Sequence, residues 1–205
     1  MIEDPTPTPI PRWVENIIEI DPLPREQALA PSRLQIPAID FDANIVEMGW
    51  VAVDNNGART TKWVVPAQDI GWHVNSVGAG GQGNLILSGH QAVGGAVFAV
   101  VSLGDVVIGH DLLVTDGEGL TFVYRVTEVS EPIPLTGTTE EEELLVSRYS
   151  QVHSGTDVDS SDTAQTGGTS DDGIVTSTLT MMTGWPEFTT THRLFVVAEF
   201  VGLVN

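Results

Sequence analysis

Two side chains able to move or hold charge stand at the edges of apolar runs. His90 follows the run in "NLILSGHQ", which places an imidazole on the turn after a buried strand, where it could face a groove. Taken alone, a histidine after a strand is better explained as a structural or surface residue. Arg193 alternates with apolar neighbours in "THRLFVVAEF", so its guanidinium is partly desolvated and wants an anionic partner; on its own it is an ordinary rim arginine. Nine residues before it, the strand "STLTMMTGWP" closes on Gly184, flanked by Thr183 and Trp185. A glycine there has a plain structural use in permitting a tight turn, and Trp185 could be a groove wall or a core aromatic.

Composition removes several classes of chemistry. The chain holds 28 acidic against 8 basic residues, a net charge of −20, which repels phosphate backbones and anionic membrane surfaces. Nucleic acid is excluded as a partner on that ground. Lys62 is the only lysine, so no polybasic anchor can be assembled. Cysteine is absent, which rules out disulfides, thiolate zinc sites and thiol catalysis. The five histidines (His73, His90, His110, His153 and His192) lack any recognisable metal-ligand spacing, and no metal is expected of them. "DVDSSD" does present alternating oxygens at Asp157, Asp159 and Asp162, a possible calcium site, but it lacks the later bidentate glutamate of an EF-hand; a solvated acidic run is the preferred reading.

The elements that must position these residues read as strands. Residues 1–33 carry seven of the twelve prolines and are expected to be an extracellular stalk, following a membrane anchor outside this sequence, although Trp13, Ile17 and Ile18 could dock on the domain. From Leu34 to residue 205 the texture is short runs rich in Val, Ile, Thr and Phe, bounded by Gly, Asn and Asp, which predicts an all-β barrel or sandwich. Asn55-Asn56-Gly57 and Asp116-Gly117-Glu118-Gly119 read as hairpin turns. One interval, 137–173, breaks the rhythm with nine carboxylates and a Ser/Thr/Gly run. Its "TTEEEELLVSRYSQV" predicts a short helix capped by Thr139, and the remainder a long acidic insertion loop.

The order of these segments is informative in combination. "RLQIPAI", "GWH" (71–73), "GNLILSGH", "GAVFAVVSLGDVV", "TLTMMTGWP" and "THRL" resemble, over residues 33–202, the sortase family of cell-wall transpeptidases, most closely its class E, housekeeping-like members. The resemblance implies a closed eight-stranded antiparallel β-barrel in which a histidine, a cysteine and an arginine line one groove. It implies attack by the cysteine on the Thr-Gly bond of an LPxTG- or LAxTG-like sorting signal, then transfer to an amine of the cell wall or a pilin. His90 matches the histidine and Arg193 the arginine. The TLxTC signature lines up on Thr178 to Gly184 with one extra residue, and the cysteine position holds Gly184. The interval from His90 to Gly184 is long for the family, and the acidic insert, between strands six and seven, accounts for the excess.

Glycine offers neither a polarisable sulfur nor a proton to manage, so His90 is left with nothing to activate. The expectation is therefore a vacant seat between His90 and Arg193, with Thr183 and Trp185 as substrate-binding neighbours and backbone N–H groups near Trp185 as remnants of an oxyanion site. A catalytically silent sortase, by natural loss or by design, is the first reading. A peptide-binding or scaffolding module on the cell surface is the alternative.

Overall fold

The computed structural model describes residues 14, 16–55, 58–152 and 176–204. In chain order its strands are β1 (Ile17–Ile18), β2 (Pro31–Ile36), β3 (Phe41–Met48), β4 (Trp50–Asn55), β5 (Ala58–Trp63), β6 (Ile70–His73) and β7 (Gly83–Ser88). After the short helix α1 (Ala99–Ser102) come β8 (Asp111–Asp116), β9 (Thr121–Val129) and β10 (Ile133–Pro134), then helix α2 (Glu140–Ser150), β11 (Ser177–Trp185) and β12 (His192–Val204).

Eight of these strands close on themselves in the order β12-β11-β7-β6-β3-β2-β8-β9, with β9 returning to β12. The period-2 pattern of the sequence explains the inside of that ring. Pairs two residues apart, Leu34/Ile36, Leu85/Leu87, Leu112/Val114, Phe122/Tyr124, Leu179/Met181 and Val196/Ala198, all turn into one buried cluster. An eight-stranded barrel has an interior wide enough for side chains and little else, so these residues fill it. Tyr124 keeps its buried hydroxyl satisfied by accepting from the Gly80 backbone N–H at 2.8 Å.

The barrel is closed and eight-stranded as expected, but it is not wholly antiparallel. β11 runs parallel to β7, and β3 parallel to β6. Parallel neighbours need long crossovers, and the chain has them: β8, β9, β10 and α2 lie between β7 and β11, and the β4–β5 hairpin lies between β3 and β6. The departure matters for function. Parallel pairing brings the C-terminal ends of β7 and β11 to the same end of the barrel, whereas antiparallel strands would have separated them.

The helix expected over the acidic stretch forms as α2, with a capping box in which the Thr139 side chain accepts from the Glu142 N–H and the Glu142 carboxylate accepts from the Thr139 N–H. Its Tyr149 stacks on Phe195 at 4.7 Å between ring centres, and this holds the helix on the outside of β12. The hairpin β4–β5 pairs Asn55 with Ala58, the register expected for a two-residue turn. Part of the segment expected as a stalk is tied to the barrel instead: Ile17 and Ile18 pair with Val204 and Leu203, and Leu23 exchanges backbone hydrogen bonds with Gly80 and Gln82. Residues 1–13, and the acidic run 153–175 with Asp157, Asp159 and Asp162, lie outside the described residues.

Candidate functional site

Backbone pairing assembles the site. The parallel register of β7 and β11 sets Met182 beside Ser88, and the chain continues past the strand ends with Gly89 donating to the Met182 carbonyl at 3.3 Å. Thr183 reinforces the junction by donating through its hydroxyl to the Gly89 carbonyl at 2.8 Å. On the other side, β11 and β12 are antiparallel with Gly184 directly opposite Arg193. His90, Gly184 and Arg193 therefore all line one groove of ≈ 540 Å³ at this end of the barrel.

Gly184 itself is not beside an open space. A Cβ at this position would stand 2.7 Å from Gln91 Nε2, 2.7 Å from Thr190 Cγ2 and 2.9 Å from Thr190 Oγ1, all closer than real Cβ contacts. Gln91 Nε2 donates to Thr190 Oγ1 at 2.7 Å, so the two side chains form a bridge across the place a nucleophile would occupy. The vacant seat expected from the sequence is filled, because glycine leaves a gap that the Gln91 and Thr190 side chains close on.

Thr183 lines the groove, while its hydroxyl is committed to Gly89. Trp185 is outside the lining. It packs against the barrel core and meets His192 edge-to-face at 5.4 Å, the core-aromatic one of the two uses the sequence left open.

A model described as the sortase domain matches residues 34–201. The chain belongs to the sortase family. Among solved structures it is similar to sortase E1 of Streptomyces coelicolor with a tripeptide in the active site, at 19% identity and a TM-score of 0.55, covering 87% of this chain and 93% of that one. It is also similar to a Clostridium perfringens sortase D5 transpeptidase (16% identity, TM-score 0.52, 84% and 79% covered). A lid mutant of sortase A from Corynebacterium diphtheriae gives 17% identity and a TM-score of 0.51, with 85% and 71% covered. At these identities the likeness shows the shared fold. No curated protein sequence matches.

Two further features of this sortase groove escaped the sequence. Ser88 and His73 share a buried hydrogen bond of 2.8 Å in its lining, and desolvation pushes the His73 imidazole down to about 4, so it is neutral at pH 7. The signal for Ser88 was available: it closes the apolar run of β7, two residues before His90. The hairpin β4–β5 is the second feature. It contributes Lys62 and Trp63 to the lining, with Trp63 packed on His73 at 4.4 Å and on Trp50 at 5.0 Å. Among the described residues no cluster of three or more His, Asp or Glu could hold a metal ion, and no helix is long and apolar enough to cross a membrane.

Proposed function

We propose that this chain is a cell-surface sortase silent in cysteine transpeptidation, whose groove holds a sorting-signal-like peptide without cutting it. The observation that carries the reading is Gly184, opposite Arg193 and in one groove with His90, under a side-chain bridge that fills the nucleophile's place. In the family, the thiol attacks the scissile carbonyl carbon, the histidine and arginine manage the proton and the developing oxyanion, and an amine of the wall or a pilin resolves the acyl-enzyme. With glycine, no covalent intermediate can form and the remaining groups can only bind. That the Streptomyces coelicolor enzyme of the same fold takes a tripeptide in its active site supports a peptide as the occupant. Natural loss of the nucleophile is preferred to a designed replacement because the chain holds no cysteine elsewhere and carries the acidic insert. No cofactor is required by this reading, and the acids Asp157, Asp159 and Asp162 act as solvated charge with no calcium.

The test is incubation with internally quenched LPxTG and LAxTG peptides. The chain should bind them and return them intact, while Gly184→Cys combined with Gln91→Ala should cleave, and adding His90→Ala should abolish that cleavage. Cleavage by the unaltered chain, or failure of the chain and its variants to bind any of the peptides, overturns the proposal.

A further inference from the structure

We infer that the groove selects a peptide carrying a carboxylate, either a free C-terminus or an Asp or Glu side chain; this rests on the peptide-binding reading above and names the chemistry of its ligand. Acids outnumber bases more than threefold in the chain, 28 to 8, yet not one Asp or Glu lines the groove. The lining instead takes the chain's only lysine, Lys62, together with Arg193 and two histidines, His73 and His90. The two cations, Lys62 and Arg193, come from separate elements, β5 and β12, so their meeting is not a run in sequence.

Their partners are missing as well. Arg33, Arg125 and Arg148 each meet a carboxylate, that of Asp42, Asp111 and Glu128 respectively. Neither Arg193 nor Lys62 has an ion pair among the described residues. A basic pocket on a body of net charge −20 focuses a favourable potential for an anion into one place while the surrounding surface repels highly charged polyanions. A ligand with one carboxylate suits both conditions. The guanidinium fork matches a carboxylate in two parallel hydrogen bonds, and the ammonium adds a second positive charge. Beside the polar Ser88, Gln91, Thr183 and Thr190, the lining carries Met48, Trp63, Val65, Leu135 and Met182, an apolar and aromatic share that suits peptide side chains rather than a bare ion.

Calorimetric titration of the full chain with three peptides tests this. They are acetyl-Leu-Ala-Gln-Thr-Gly-amide, the same peptide with a free C-terminal acid, and the amide with Glu in place of Gln. At least one acid-bearing peptide should bind about tenfold more tightly than the neutral one, the value of one charge-assisted hydrogen bond. The gain should shrink as salt is raised, and the arm that shows it identifies which carboxylate is read. Arg193→Gln with Lys62→Gln should erase the gain, and Arg33→Gln, whose ion pair lies outside the groove, should leave it. Equal binding of all three peptides overturns the carboxylate inference while leaving peptide binding in place. Preference that survives in the Arg193→Gln, Lys62→Gln variant also overturns it. Absence of binding by every peptide overturns both readings.

Discussion

Restoring a thiol at position 184 should not be a simple reversal. A Cys Cβ would enter within 2.7 Å of Gln91 Nε2 and Thr190 Cγ2, and the bridge between those residues must open to admit it. Breaking that hydrogen bond costs about 1 kcal/mol. Overpacking at the junction adds about 1–3 kcal/mol, less where a flexible amide can swing aside as Gln91 can. Replacing a strand glycine returns about 0.5–1 kcal/mol. Gly184→Cys should therefore destabilise the chain by about 1–2 kcal/mol, a fall in Tm of roughly 3–6 °C at this chain length. Gln91→Ala removes the amide half of the obstruction and releases Thr190 from the bridge, so in that background the same substitution should cost markedly less. The double-mutant cycle should then show a coupling of about 1–2 kcal/mol between positions 91 and 184. Thermal melts of the four proteins measure it, and the rate of thiol modification by an aromatic disulfide reports the same opening, slow in the single variant and fast in the double. Additive stabilities, with a readily modified thiol in Gly184→Cys alone, would refute the filled seat.

The remaining predictions concern the groove wall and the helix outside the barrel. His73 is held neutral by burial, with a folded value of about 4 against an ordinary 6.5. The unfolded chain therefore binds the proton that the folded chain refuses, and stability falls as pH drops from about 6.5 to about 4, by up to roughly 3 kcal/mol at this site. His73→Gln should flatten the dependence of Tm on pH over that window, and an unchanged slope would contradict the burial argument. Thr139→Ala removes the capping box of α2 and should cost about 1 kcal/mol. Hydrogen exchange should show that loss in α2 and not in the barrel strands.

The barrel was legible because its information is local. Alternating pairs such as Leu85/Leu87 and Leu179/Met181 reveal strands with one buried face, and the order of "SGH", "TLTMMTG" and "HRL" implied the closed eight-stranded form. Strand direction was not legible at β11–β7 and β3–β6, because a period of two is the same read in either sense and the partners are far apart in sequence. For the same reason His90, Gly184 and Arg193 could be named in advance while the filling of the seat could not. Gln91 and Thr190 are ordinary polar residues whose contact exists only once β7 and the loop before β12 are brought together. The His73–Ser88 hydrogen bond and the acid-free lining are likewise properties of assembled surfaces and not of any one segment. Within residues 1–33, the pairing of Ile17 and Ile18 was not legible because it depends on the edge that β12 leaves free.

The most direct measurement is the intact mass of the Gly184→Cys, Gln91→Ala protein after brief exposure to a sorting-signal peptide without an amine acceptor. The account predicts an increase equal to the acyl fragment upstream of the Thr-Gly bond, carried on the introduced thiol and absent when His90→Ala is added. A protein that binds the peptide yet gains no mass would contradict the claim that Gly184 stands where the family's nucleophile stands.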